Sequence, residues 1–219
     1  MCYDSPVDNY YEAADVYDAT TKGVPGDVEF YRDLALASGG PVVELGVGTG
    51  RIALPIAAAG VDVIGVDLAP AMLAVARRRA AEAGLAQRLR LVEGDMRTFA
   101  VPKAVPLVII PFRTFLHNLS VEDQRATLAA AYRALLPGGC LALNVFSPDL
   151  RLIERRMTQG ARRSEPFGGS GEVLARYAVL SGSQVVTSRL CWKEGGSVRR
   201  ATLTLRYVCL LYTSPSPRD

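Results

Sequence analysis

The feature that most constrains this chain is a rhythm between residues 41 and 146, where short apolar runs alternate with helix-forming stretches. The apolar runs are Pro41 to Leu45, Val61 to Val66, Leu89 to Val92, Pro106 to Ile110 and Cys140 to Phe146, most of them near-continuous Val, Ile and Leu. Between them, Arg51 to Ala59, Pro70 to Ala83 and Ser120 to about Leu136 are rich in helix formers. Pro70 suits a first helical turn, and Ser120 with Asp123 three residues on makes a loose capping box. Strands that do not alternate apolar with polar are buried on both faces, as in a parallel sheet covered by helices. The expected fold is therefore α/β, with a doubly wound, mostly parallel sheet.

The flanks read differently. Residues 1–40 are expected to form a helical cap, with helical spacing from Asp8 to Asp18 and a second run opened by Pro25-Gly26-Asp27 and ended by Gly39-Gly40. Residues 41–148 form the sheet-and-helix core. In residues 149–208 a short basic helix (Leu150 to Met157) leads into a Gly/Ser/Arg loop (Gly160 to Gly171). Three runs with period-two alternation follow, Glu172–Leu180, Gln184–Lys193 and Val198–Val208, and predict antiparallel hairpins. Residues 209–219, Cys209 to Asp219 with prolines at 215 and 217, break the strand pattern and leave the sheet open. They resemble the read-through translation of a sequencing adaptor more than a natural polar tail, and are set aside as non-native.

Composition removes several classes. With 49% apolar and 21% charged residues the chain is not disordered. No apolar run reaches the ~18 residues of a membrane span, and the acidic start, Met1 to Asp4, is neither a secretory signal nor an Arg-rich transit peptide. Four scattered cysteines without a CxxC pair suggest neither a zinc site nor a disulfide framework, so the cytoplasm is expected. One histidine, His117, excludes a multi-histidine metal centre, and no metal is expected. The net charge of +3 hides seven acids against one lysine in residues 1–30, and twelve Lys/Arg against five acids from Arg151 onward. That basic end fits either the wet face of a sheet or a nucleic-acid partner, with the former preferred.

The chemistry gathers where strands should end. Glu44-Leu45-Gly46-Val-Gly48-Thr-Gly50-Arg51 places glycines at a strand-to-helix turn, where backbone can approach a ligand closely. A nicotinamide fingerprint would put a third glycine at position 51, which is Arg, and Glu44 would repel a pyrophosphate while welcoming an ammonium group. Asp67, at the end of the second strand, can accept both hydroxyl protons of a ribose, with Leu68 and Met72 as apolar contacts for a base; it can equally cap the next helix. Asp95 and Met96, after the third strand, can pair with an adenine amino group and pack on its ring, or form a plain polar turn.

In this order the pieces resemble the class I S-adenosylmethionine-dependent methyltransferases, over roughly Tyr10 to Phe146 and closest to the domains that act on small molecules. Tyr17-Asp18, then Asp27 and Phe30-Tyr31, stand where that group has a Tyr-Asp pair, an acid and Phe-Tyr. The resemblance implies a Rossmann-like fold and a cofactor, S-adenosylmethionine, held by Tyr17, Glu44, Leu45, Gly46, Gly48, Gly50, Asp67, Leu68, Met72, Asp95, Met96 and Pro111. The residues from Pro111 to Thr114 fall where this fold places the reacting methyl. His117 is the candidate general base, if the acceptor must lose a proton, and otherwise serves local backbone groups. Tyr10, Tyr11 and Tyr17 either close over the methyl group or face the core.

Two departures stand out: Val105-Pro106 replaces the Phe-Asp that often enters the fourth strand, and the helix and two strands that usually follow a strand ending like Leu205-Arg206-Tyr207 are missing. The implied function is methyl transfer to an O, N or C atom of a small-molecule acceptor, with no membrane or nucleic-acid partner. Other readings stay open: an RNA or protein methyltransferase using the basic sheet, a nicotinamide-dependent oxidoreductase, or a non-catalytic module on this fold.

Overall fold

The computed structural model describes residues 8, 9, 11, 14, 17, 18, 21–146, 165–167, 171–180, 184–194 and 197–208. In chain order the strands are β1 (Asp8–Asn9), β2 (Val42–Leu45), β3 (Val63–Asp67), β4 (Leu89–Glu93), β5 (Val105–Ile110), β6 (Leu135–Leu143), β7 (Glu165–Phe167), β8 (Gly171–Leu180), β9 (Val185–Glu194) and β10 (Ser197–Arg206). The helices are α1 (Asp27–Ser38), α2 (Ala53–Ala58), α3 (Pro70–Glu82) and α4 (Val121–Ala134). Contacts divide the chain into two units, one of residues 22–115 and 120–144, the other of residues 1–21, 116–119 and 145–219.

The first of these is a five-stranded sheet in the order β4-β3-β2-β5-β6, every pair parallel. Its central strands are the apolar runs of the sequence: Val42, Val43, Leu45, Leu107, Val108, Ile109 and Ile110 are all fully buried. Tyr31 and Ala35 of α1, Ile56 of α2 and Leu73 of α3 pack into the same core. Ser120 caps α4, its Oγ accepting a hydrogen bond from the Asp123 N–H at 3.0 Å, as the capping box predicts. The chain runs β2-β3-β4 to one side of the sheet and β5-β6 to the other. The reversal falls between β2 and β5, and a crevice opens at the carboxyl ends of strands at such a switch point.

The other unit holds an antiparallel sheet, β10-β9-β8-β7, with β1 added in parallel beside β10. The three expected hairpin strands appear within a residue or two of their predicted limits. Together the sheets bear out the α/β, Rossmann-like reading with its antiparallel extension. The expected helix Leu150 to Met157 and the tail 209–219 lie outside the described residues.

Three local expectations are corrected. Asp8 and Asn9 are strand rather than helix: they stand opposite Ala201 and Thr202, where the free main-chain edge of β10 outweighs side-chain spacing. Ala14, Tyr17 and Asp18 are helical as expected. Glu165 to Phe167, read as loop, is strand β7, paired with Val173 to Gly171. Finally, Pro137-Gly138-Gly139 does not separate α4 from its strand, because β6 already begins at Leu135. Val105 pairs with Leu135 and Leu107 with Cys140, so the Pro-Gly-Gly segment is taken up as a bulge.

Candidate functional site

The turn from Gly46 to Gly50 leaves the carboxyl end of β2, beside the switch point. All three of its glycines are left-handed, with φ of 71°, 55° and 88° at Gly46, Gly48 and Gly50, a region that side-chain-bearing residues enter only at a cost. Gly46 is the most constrained: a Cβ there would lie 2.1 Å from Thr114 Cγ2, so the turn and the segment after β5 are packed to contact. A Cβ on Gly48 would meet nothing within 4 Å, which marks open space at the apex.

Four of the five amides of this turn are bonded within the protein. The N–H groups of Gly46 and Val47 donate to the Val66 carbonyl at 2.7 and 3.1 Å, that of Gly50 to the Val47 carbonyl, and that of Gly48 to Asp67 Oδ2 at 2.8 Å. A pyrophosphate cradle works through free N–H donors. Here the turn offers a shaped, glycine-lined surface edged by carboxylates instead.

Those carboxylates set the electrostatics. Glu44 is buried on β2, and its Oε2 has no hydrogen-bond partner. Burial pushes its carboxyl well above the usual range, Arg51 opposes that rise, and Asp67 and Asp27 add to it. Asp67 is also raised, by burial, against the stabilising N–H groups of Ala69, Gly48 and Leu68. Asp27 goes the other way. Burial alone would raise it, but the Arg51 guanidinium donates to Oδ1 and Oδ2 at 2.7 Å each and, with the Val24 N–H, holds its carboxyl below the usual value. Arg51 thus makes its direct ion pair with Asp27 and reaches Glu44 only through its field, which does not offset burial there, while Asp67 is steadied by backbone N–H groups alone. A bound cation would favour the charged form of either carboxyl.

The other predicted residues separate on inspection. Asp67 accepts from Gly48 and Ala69, so it clamps the turn and leads into α3, while a carboxylate retains lone pairs for a further donor. Leu68 is exposed and available to a ligand. Met72 is buried with Leu73, Ala76 and Ala80 on the core face of α3. Leu45 is likewise wholly buried in the sheet, and Pro111 is buried after β5. Asp95 shows the turn geometry: its Oδ1 accepts from the Arg97 N–H at 2.8 Å, and Arg97 bridges Asp95 and Asp123. Met96 beside it is half-buried.

Tyr17 and His117 belong to the other unit. There the Tyr11 hydroxyl lies 2.6 Å from His117 Nε2, with the two rings edge to face at 5.2 Å, and Tyr17 stacks at a tilt 6.0 Å from Tyr11. Two of the three tyrosines expected as an aromatic group therefore do meet; Tyr10 lies outside the described residues. Among the described residues no cluster of His, Cys, Asp and Glu is arranged to hold a metal, and no helix is long and apolar enough to cross a membrane.

Three site features were missed in the sequence. The Asp27–Arg51 pair joins two positions 24 residues apart; the acid at 27 and the arginine in place of a third glycine were both visible, their pairing was not. Thr114 presses on Gly46. Phe112 adopts φ 59°, a strained state for a bulky residue, with the Arg113 guanidinium 4.3 Å above its ring. Nothing local in the sequence signals that backbone state.

The order of strands and the placement of these loops define a Rossmann-like α/β fold, one that solved methyltransferases share. Residues 42–139 match the family described as a methyltransferase domain. Among curated proteins, a demethylmenaquinone methyltransferase from Thermus thermophilus is 36% identical over 112 residues, 49% of this chain and 47% of the relative. The chain thus spans about half the length of that relative. Among solved structures, the CcbJ methyltransferase from Streptomyces caelestis is 27% identical with a TM-score of 0.75, covering 91% of this chain and 82% of its own. CalS10, an amino pentose methyltransferase from Micromonospora echinaspora solved with bound S-adenosylmethionine, is 25% identical with a TM-score of 0.67, covering 95% and 86%.

Proposed function

We propose that this chain is an S-adenosylmethionine-dependent methyltransferase acting on an O, N or C atom of a small-molecule acceptor. The observation that carries the reading is the buried, unpartnered Oε2 of Glu44 beside a turn whose three glycine amides are already bonded. That donor set suits a ligand with an ammonium group and a ribose, and does not suit a pyrophosphate. Glu44 would hold the ammonium, directly or through the turn it supports. The Gly46–Gly50 turn would admit the methionine part, Asp67 the ribose hydroxyls, and Leu68 with Asp95 and Met96 the adenine. When bound, the cofactor supplies a methyl group on a sulfonium whose leaving group is already activated. The remaining work is positioning of the acceptor, which can account for up to ~7–11 kcal/mol of a barrier in well-oriented reactions.

The amino pentose acceptor named for CalS10 supports a small-molecule acceptor here. An acceptor that must lose a proton needs a base, and His117, held by the Tyr11 hydroxyl, is assigned that role. His117→Asn is then expected to leave S-adenosylhomocysteine affinity unchanged and to lower turnover by roughly 10²–10⁴-fold. Unchanged turnover would remove His117 from the mechanism.

The cofactor assignment is tested by calorimetric titration of the chain with S-adenosylhomocysteine and, separately, with NADH. Saturable 1:1 binding of the first and none of the second is expected. Binding of NADH alone would reverse the reading in favour of an oxidoreductase.

A further inference from the structure

The antiparallel unit carries a cation with nothing to hold. Along β10 the residues at odd positions, Ala201, Leu203 and Leu205, are buried, whereas Thr202, Thr204 and Arg206 between them are half-buried. By this alternation Arg200 belongs to the polar side of the strand. Its neighbours there have protein partners: the Thr204 and Thr187 hydroxyls lie 3.2 Å apart, and Arg206 donates to Gln184 Oε1 at 2.7 Å. Arg200 does not follow them. Its Nε and Nη1 are shut off from solvent and have no hydrogen-bond acceptor.

A guanidinium cannot shed its charge, so burial of its donors without an acceptor is a standing cost that native proteins rarely carry. Two planar edges of the group can each grip an oxyanion with two N–H bonds. One edge pairs Nε with Nη2, the other Nη1 with Nη2, so both edges here contain an orphaned donor. Backbone register places Cys191 opposite Arg200 and Arg189 opposite Thr202, and neither position supplies an acid. On the other flank of β10, β1 places Asp8 opposite Ala201, at the register of the buried side and not of Arg200.

We propose that Arg200 is the anchor of an oxyanion-binding site on the polar side of this sheet, taking a carboxylate or a phosphate group of a small molecule. A guanidinium fork matches either group in shape and charge. This site lies in a different unit from the glycine turn and does not depend on the methyltransferase reading.

The test measures thermal unfolding of the whole chain in rising inorganic phosphate and, in a second arm, acetate, each against chloride at equal ionic strength. Saturable stabilisation beyond that of chloride is expected from at least one oxyanion, and the stronger arm tells phosphate from carboxylate. Arg200→Met should abolish it. Arg200→Lys, which keeps the charge but loses the fork, should weaken the apparent affinity at least 10-fold, and gives a second variant should the first fold poorly. S-adenosylhomocysteine affinity should be the same in wild type and both variants. A wild-type response no different from chloride, or the same oxyanion response in either variant, would overturn the proposal.

Discussion

Replacing Glu44 by glutamine is expected to weaken S-adenosylhomocysteine binding by roughly 10- to 150-fold, the range of one hydrogen bond to a charged group. The same change should flatten a pH dependence. Glu44 is buried, carries an orphaned oxygen and has its carboxyl raised well above the usual 4.5. In the free protein it therefore holds a proton at pH values where an unfolded chain has lost it. Between those two values the native state binds the extra proton, so stability falls as pH rises. Glutamine cannot ionise, and the variant should lose that slope while wild type keeps it. Ligand binding has the opposite sense: an ammonium group favours the ionised carboxylate, so wild-type affinity should climb as pH rises through the raised value, with proton release on binding. Calorimetry in two buffers of different ionisation enthalpy measures that release, and denaturant titrations across pH measure the stability slope. Equal proton release in wild type and Glu44→Gln would break the link between this carboxyl and the ligand.

Gly46→Ala is expected to cost roughly 2–5 kcal/mol of stability, and to abolish cofactor binding in whatever fraction still folds. Two effects add. The residue sits at φ 71°, which costs a side-chain-bearing residue about 1–2 kcal/mol. The new Cβ would also lie 2.1 Å from Thr114 Cγ2 and 2.9 Å from its Oγ1, and overpacking of this kind costs about 1–3 kcal/mol. The double variant Gly46→Ala with Thr114→Ala separates them, because it removes both contacting atoms and leaves only Thr114 Cβ at 3.0 Å. It should recover the packing part and not the backbone part. Urea unfolding of the two variants and wild type gives the numbers. A Gly46→Ala protein as stable as wild type would mean that the turn adopts another conformation.

Most of the parallel sheet was legible because each signal was local. Five Val/Ile/Leu runs became β2 to β6, Ser120 capped α4, and Pro70 opened α3. The antiparallel strands were legible through period-two alternation. Errors arose where a partner far along the chain decided the outcome. Asp8 and Asn9 took strand geometry from β10, almost two hundred residues later. Glu165 to Phe167 did the same from β8, and the Pro-Gly-Gly segment was drawn into β6 by its pairing with β5.

The candidate site divides along the same line. That Glu44, the three glycines, Asp67 and Asp95 follow successive strands is a property of residue order, and order alone is enough to place them at one edge of a parallel sheet. Burial is not. Met72 and Leu68 are four residues apart and both apolar, yet one is sealed in the core and the other is exposed, because Met72 lies on the core face of α3 and Leu68 in the turn before that helix begins. Nor is charge pairing. Arg51 reads as a free cation beside the glycine turn until α1 brings Asp27 against it, and that pairing leaves Glu44 only the field of the guanidinium, which is too weak to offset burial. The acidic residues were present in the linear chain; the burial of Glu44 with an oxygen left over comes from packing that excludes water and ties Arg51 to Asp27.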